Sequence, residues 1–257
     1  MRILITNDDG VQAPGINVLA AAVAAAGHDV IVVAPSGERS GSGAAMGTVG
    51  HGTEIDVQHY DLGNGIPAYS VEGPPALCSL LGFFEVFGPV PDLVLAGVNP
   101  GANTGRGLLQ SGTVGAILTA ADLGISGIAV SQQYPEAGVE QRFATAAEVV
   151  VSLLPWLVQQ PRKTALNVNV PNALHGELRG FRWGRIAAFG PTKMRMVGPV
   201  PGVVQTLVTP REVELRPDTD TALVAAGFVS ITSVVTPRAT EPFDPGHLFD
   251  AHRDRLI

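Results

Sequence analysis

Only one cysteine, Cys78, occurs among the 257 residues of this chain, so no intrachain disulfide can form. The scarcity of cysteine suits a reducing compartment. We expect Cys78 to be a small buried side chain. The alternative is a nucleophile, although no His or Asp lies close to it in the sequence.

The chain also lacks any block of Lys or Arg residues, and its formal net charge is −7. A general nucleic-acid binder needs a basic surface, so this class is disfavoured. The apolar segment 16–34 is interrupted by His28 and Asp29 and is not predicted to span a membrane. No secretory leader is apparent. We therefore expect a cytoplasmic protein with no nucleic-acid or membrane partner.

Several catalytic signatures are missing as well. The sequence contains no Gly-x-x-x-x-Gly-Lys-Ser/Thr loop, no Gly-x-Gly-x-x-Gly after the first predicted strand, and no histidine pair with zinc spacing. Residues 39–43 come near the Gly-x-Ser-x-Gly elbow, but no helix clearly follows them. These absences argue against a P-loop NTPase, a dinucleotide cofactor, a zinc site and an α/β-hydrolase.

Hydrophobic residues make up 46% of the chain, which is enough for a sizeable core. Short buried strands alternate with helical segments. Strands are predicted at 2–6, 30–34, 93–96, 128–131 and 166–170, and helices at 15–26, 75–87, 113–123 and 140–158. Segments 54–58 and 68–71 flank Asn64-Gly65, which is typical of a hairpin. This alternation predicts an α/β fold with a doubly wound, mostly parallel sheet, Rossmann-like and with helices on both faces.

After Pro171 the pattern changes. Residues 180–215 are rich in Pro, Gly and β-branched side chains and predict an extended hairpin or small β-subdomain. A short helix at 219–226, a strand at 228–234 and a polar tail follow. We predict one domain over 1–257, with an α/β core to about residue 175 and a β-rich extension and tail over about 176–257.

Two adjacent acids, Asp8 and Asp9, directly follow the first predicted strand, with Asn7 before them and Gly10 after. Ligands of open α/β sheets bind at the carboxyl ends of the strands, where these acids fall. Neighbouring carboxylates repel each other unless a cation compensates them, and Mg²⁺, Mn²⁺ and Ca²⁺ prefer oxygen ligands. The alternative is an acidic turn at a strand end.

Two further loops follow predicted buried strands, so they should meet the acids at the same edge of the sheet. One contains Ser40 and Gly41, and the other contains Asn99 and Asn103 among several glycines. Asparagine can offer a carbonyl oxygen to a cation or an N–H group to a phosphate. Ser111 stands before an Ala-rich helix, where it either caps the helix only or forms an anion site with the first N–H groups.

These motifs resemble the survival protein SurE family. They are Asn7-Asp8-Asp9-Gly10 with Ala13-Pro14-Gly15, Val33-Ala34-Pro35 with Arg39-Ser40-Gly41, Gly97-Val98-Asn99-x-Gly101-x-Asn103-x-Gly105, and Ser111-Gly112-Thr113-Val114. Segment 166–171, and Thr219-Asp220 leading to 227–232, are similar to later signatures of the family. The resemblance spans nearly the whole chain.

The resemblance implies a metal-dependent phosphatase of nucleoside 5′/3′-monophosphates, which is a phosphoric monoester hydrolase. It implies one divalent ion per subunit, Mg²⁺ or Mn²⁺. The implied metal ligands are Asp8, Asp9, Ser40 and Asn99; the implied catalytic residues are Asp8, Asp9, Asn103 and Ser111; and the implied phosphate contacts are Asn7, Gly41, Asn103, Ser111, Gly112 and Thr113. It further implies a homodimer or homotetramer whose C-terminal segments are exchanged between subunits.

The chain departs from the family's pattern at several positions. Gln110 stands where the family has Tyr, Arg106 and Gly107 where acids are common, and Leu77 where the family has Asp. Two alternatives therefore stay open. One is a pathway-specific phosphatase for another phosphorylated metabolite, and the other is a nucleotide-binding protein that has lost turnover. The sequence does not identify the general acid for the leaving group.

Overall fold

Nine strands form one sheet in a computed structural model that describes residues 1–190, 192–200, 203–210 and 214–237. All neighbouring pairs are parallel except β3–β4 and β7–β11. The predicted α/β class and the predicted hairpin are thereby confirmed. Numbered along the chain, the strands lie in the order β3 (Val57–Tyr60), β4 (Ala68–Val71), β2 (Asp29–Pro35), β1 (Arg2–Thr6), β5 (Leu93–Pro100), β6 (Ser126–Gln132), β7 (Ala165–Val170), β11 (Val229–Val234) and β8 (Phe181–Trp183).

Helices cover both faces of this sheet. Helices α1 (Pro14–Ala25) and α4 (Phe143–Leu157) pack together on one face, and α2 (Pro75–Phe83) and α3 (Gly112–Asp122) pack on the other. Successive side chains of a strand point to opposite faces. Accordingly, Ile3 of β1 belongs to the core beneath α1, whereas Leu4 belongs to the core beneath α2.

Cys78 lies in α2 and is fully buried in the second of these cores. Burial raises the pKa of its thiol to about 12. A thiol in this environment stays protonated at neutral pH and is a poor nucleophile. The expectation of a buried, small side chain is confirmed.

The strand order reverses at β1. The chain passes from β1 to β2 on one side and later returns to add β5 on the other side. Such a reversal leaves a crevice at the carboxyl ends of the two diverging strands. The loops that follow β2, β1 and β5 are therefore neighbours, as the sequence predicted.

Several predicted boundaries are wrong. Helix α4 begins at Phe143 rather than at residue 140, and β3 begins at Val57 rather than at residue 54. Helix α2 ends at Phe83 rather than at residue 87, because Glu85 adopts φ 60°, which is incompatible with a continuing right-handed helix. Strand β5 continues to Pro100, where the sequence predicted a loop from Gly97. Its register against β6 shifts between Ala96 and Asn99, so the strand passes through an irregularity before it ends.

The region after Pro171 contributes to two sheets. Strands β9 (Thr192–Val200) and β10 (Val203–Pro210) pair antiparallel and account for the predicted hairpin. Strand β8, also inside the predicted hairpin region, instead pairs parallel with β11 in the main sheet, because the two share backbone hydrogen bonds. Helix α5 (Asp220–Ala225) precedes β11. Residues 238–257, which hold most of the predicted tail, lie outside the described residues. The exchange of the C-terminal extension between subunits stays a prediction.

Within the described ranges, no helix is long and apolar enough to cross a membrane.

Candidate active site

A cavity of about 640 Å³ opens at the carboxyl ends of β1 and β5. Residues from all three predicted loops line it. The predicted site residues on its wall are Asp8, Asp9, Ser40, Gly41, Asn99, Asn103 and Ser111. The structure therefore brings together all four residues that the resemblance implies as metal ligands.

Asn7 shapes the turn that presents the two acids. Its side chain is fully buried; its Nδ2 donates to the carbonyl of Gly10 at 2.9 Å, and its Oδ1 accepts the N–H of Gly10 at 3.2 Å. Gly10 adopts φ +100°, where an L side chain is strained. Asn7 thus acts on the backbone of the turn, and its predicted phosphate contact stays a prediction.

Asp8 is buried against the start of α3. Its Oδ1 accepts the hydroxyl hydrogen of Thr113 at 2.6 Å. Burial nevertheless raises the pKa of Asp8, and hydrogen bonds from Thr113 and Gly112 only partly offset the cost of desolvation. Gly112 and Thr113 therefore support Asp8, and their predicted contact with phosphate stays a prediction.

Asp9 carries an unpaired polar atom. Its Oδ2 is buried and has no hydrogen-bond partner within the described part of the chain. Burial raises the pKa of Asp9 to about 7, and the negative charges of Asp8 and Glu38 add to that rise. A buried carboxylate oxygen with no donor nearby is costly, and a cation would remove the cost.

Two neutral oxygens, Asn99 Oδ1 and Ser40 Oγ, complete the four predicted metal ligands. Asn99 donates its Nδ2 to the carbonyl of Gly101 at 2.8 Å, which leaves Oδ1 as the end of the amide that can accept or coordinate. Ser40 donates its hydroxyl hydrogen to Glu38 Oε1 at 2.9 Å, so the lone pairs of Ser40 Oγ stay available. Oxygens from carboxylates, an amide and a hydroxyl suit a hard divalent cation such as Mg²⁺ or Mn²⁺.

No group of three or more His, Cys, Asp or Glu side chains among the described residues could hold a metal ion. A cation in this cavity would accordingly depend on two carboxylates and on neutral oxygens. The unpaired Oδ2 of Asp9 is the observation that supports a metal ion bound by these residues.

Asn103 is held by two neighbouring strands. Its Nδ2 donates to Ser131 Oγ of β6 at 2.8 Å. Its backbone carbonyl accepts the side-chain N–H groups of Asn167 at 2.9 Å and Asn169 at 3.0 Å, both from β7. Asn167 and Asn169 support the site, yet sequence reasoning assigned them no role. Two amides at i and i+2 in an otherwise apolar strand are the signal that could have found them.

Ser111 caps α3, because its Oγ accepts the N–H of Val114 at 3.2 Å. The predicted cap is therefore confirmed, and the predicted anion site at Ser111 stays a prediction. Ser111 also lines the cavity. A cap can serve both purposes when its hydroxyl hydrogen stays free for a ligand, since the cap uses only an oxygen lone pair.

Asp220 is another residue whose role sequence reasoning missed. It is fully buried at the start of α5, and its Oδ2 accepts the N–H of Gly105 at 2.8 Å. Its Oδ1 accepts the N–H groups of Ala187 at 2.9 Å and Thr221 at 2.8 Å. This carboxylate ties the loop that carries Asn99 and Asn103 to the C-terminal part of the chain.

The four residues that depart from the family's pattern fall in different environments. Leu77 is buried in the core beneath α2, and Arg106 is exposed in a 3₁₀ helix at Gly105–Gln110. Gly107 and Gln110 line the cavity. Of the four residues, Gln110 is the one whose side chain is placed to touch a ligand.

Asp9 leads to a prediction for the metal-free protein. An unfolded chain loses this proton near the ordinary pKa of 3.8, whereas the folded protein keeps it until about pH 7. Between these values the folded state binds more protons, so rising pH lowers the free energy of unfolding, on the order of a few kcal/mol in total. Thermal unfolding in a chelator, from pH 4 to pH 7, should show this decline relative to Asp9→Asn. Equal pH slopes for the two proteins would contradict it.

Comparison with known proteins yields a consistent set of relatives. The family model described as Survival protein SurE matches residues 3–191. The 5′-nucleotidase SurE of Synechococcus sp. (strain JA-3-3Ab) is 38% identical over 238 residues, which cover 90% of each chain. The 5′/3′-nucleotidase SurE of Erwinia tasmaniensis is 34% identical over 239 residues, covering 91% of this chain and 90% of that one.

A solved structure is also similar. The crystal structure of the SurE protein from Aquifex aeolicus superimposes with a TM-score of 0.76 at 28% sequence identity. The alignment covers 99% of this chain and 100% of that one. The likeness therefore extends across the α/β core and beyond it.

Proposed function

This chain belongs to the survival protein SurE family, and we propose that it is a metal-dependent nucleotidase that uses the cavity at β1 and β5. It is a phosphoric monoester hydrolase that converts nucleoside monophosphates to nucleoside and phosphate. The observation that carries the proposal is the pair Asp8-Asp9 at the topological switch point, with one buried carboxylate oxygen unpaired.

Asp8, Asp9, Ser40 and Asn99 would hold one divalent ion, Mg²⁺ or Mn²⁺. When bound, such an ion offsets phosphate charge and lowers the pKa of water. Asp8 is fixed by Thr113, and Asn99 is fixed by its bond to Gly101, so both residues are oriented before a ligand arrives. Preorganised groups of this kind cost little to arrange at the moment of reaction.

Asn103 and Ser111 would bind the phosphoryl oxygens, together with the backbone at Gly41. Asn103 is anchored by Ser131, Asn167 and Asn169, and Ser111 is anchored at the start of α3. Neutral donors aimed at the phosphoryl oxygens stabilise the charge that is spread over those oxygens in the transition state. Asp8, Asp9, Asn103 and Ser111 are thus the catalytic residues of the proposal.

We place the protein in the cytoplasm as a homodimer or homotetramer with exchanged C-terminal segments, acting on a small ester and on no nucleic-acid or membrane partner. The family resemblance and the single cysteine support this placement. Light scattering of the full chain gives its mass in solution, and a monomer would refute the oligomer.

Phosphate release from AMP and GMP tests the function directly. We expect turnover in Mn²⁺ or Mg²⁺, loss of turnover in excess chelator, and recovery when the metal is restored. Absence of phosphate release from every nucleoside monophosphate, with the metal present, would refute the nucleotidase.

A second candidate is a phosphatase for another phosphorylated metabolite, which the Gln110 on the cavity wall favours. Faster turnover of such a metabolite than of AMP in the same assay would support it. Stabilisation by AMP and metal without phosphate release would instead support a binding protein that has lost turnover.

A further inference from the structure

An exposed aromatic ring stands on the wall of the cavity that holds the acids. Tyr134 follows β6 and is 68% exposed, although most large aromatic rings are partly covered in folded proteins. It lines the same cavity as Asp9, Asn99 and Asn103. The ring is thus accessible on the wall of that cavity.

The ring of Tyr134 lies directly against Gly101. A Cβ atom at Gly101 would lie 2.6 Å from Cε2 and 3.0 Å from Cζ of Tyr134, so the ring packs directly on the glycine backbone. Gly101 also adopts φ +111°, which disfavours any larger residue.

The backbone beneath the ring is bonded to the site. The N–H of Gly101 donates to the carbonyl of Gln132 at 2.7 Å, and its carbonyl accepts Nδ2 of Asn99 at 2.8 Å. Tyr134 therefore rests on the same backbone that orients a proposed metal ligand.

The cavity is also larger than a phosphoryl group needs. Its volume of about 640 Å³ falls within the range of about 300–1,000 Å³ typical of pockets for whole small ligands. Part of its wall is apolar, contributed by Ala13, Pro14, Val98 and Phe143. Phe143 is half-buried and packs near Gly15, so it offers less open ring than Tyr134 does.

We propose that Tyr134 is a specificity-determining residue on which the base of a nucleoside monophosphate stacks while the phosphate lies at Asp8 and Asp9. This inference rests on the proposed function. A planar ring can stack on any nucleobase, because every base has a π-face. Tyr134 would accordingly select for the presence of a base rather than for one particular base.

The test compares AMP with ribose 5-phosphate, which carries the same sugar and ester but no base. Tyr134→Ala should lower kcat/KM for AMP about tenfold, mainly by raising KM, and should leave kcat/KM for ribose 5-phosphate within about twofold. Tyr134→Phe keeps the planar ring and should match the wild type. Tyr134→Leu keeps apolar bulk without the ring and should behave like Tyr134→Ala.

Several results would overturn the stacking role. They are an unchanged kcat/KM for AMP in Tyr134→Ala, equal losses for AMP and ribose 5-phosphate, or full activity of Tyr134→Leu. Calorimetric titration of AMP in the presence of Mg²⁺ separates this failure from failure of the nucleotidase. If the wild type binds AMP without releasing phosphate, catalysis fails, and the affinity ratio between wild type and Tyr134→Ala still decides stacking. If it neither binds nor hydrolyses AMP, both proposals fail.

Discussion

Asp9→Asn should lower kcat/KM for AMP with Mn²⁺ by roughly two to three orders of magnitude. The amide still offers an oxygen, but it removes the negative charge that holds a divalent ion. The same change should stabilise the metal-free protein at pH 7. It replaces a carboxyl whose pKa is raised to about 7 by burial and by the charges of Asp8 and Glu38. Opposite signs for activity and stability are the signature of a buried metal ligand.

Glu38→Gln is the matched comparison. It removes a charge close to Asp9 but none of the four proposed ligands, so the loss of kcat/KM should be at most about tenfold. Phosphate release and thermal unfolding in chelator are measured for both variants. Asp9→Asn with activity within tenfold of the wild type, or with a metal-free form less stable than the wild type, would argue against the metal site.

Gly115→Ala should destabilise the protein by about 3 kcal/mol and abolish turnover at elevated assay temperatures. Helix propensity predicts the opposite sign, a gain of about 1 kcal/mol, because alanine favours a helix more than glycine does. At this position steric overlap outweighs helix propensity. A Cβ at Gly115 of α3 would overlap the carbonyl of Gly43 and lie 2.7 Å from the nitrogen of Ala44. The loop that carries Ser40 would have to move away from α3.

Gly37→Ala serves as the control for this substitution. Gly37 lies in the same loop, but a Cβ there would meet no atom within 4 Å. Its stability should stay within about 1 kcal/mol of the wild type. Urea denaturation measures both variants, and a Gly115→Ala protein as stable as Gly37→Ala would show that α3 and the loop can separate without cost.

Much of the fold follows from local patterns in the sequence. Short apolar runs and the helical segments between them predict the parallel sheet, and the strand-end rule of such sheets places Asp8, Ser40 and Asn99 together. The cavity at β1 and β5 confirms that placement. Local patterns failed where one backbone angle ended an element, as at Glu85, and where β5 ran on through an irregularity to Pro100.

Contacts between distant parts of the chain hold the loop of Asn99 and Asn103 in place. Asp220 binds the N–H of Gly105 across 115 positions, and Asn169 reaches the carbonyl of Asn103 across 66. Neither hydrogen bond can be predicted from the periodicity of the sequence, because each depends on how complete elements pack rather than on neighbouring residues. The ring of Tyr134 over Gly101 belongs to the same class. The order of residues therefore determined which oxygens lie at the cavity. Packing determined which contacts hold those oxygens in place and placed the exposed ring of Tyr134 on the cavity wall.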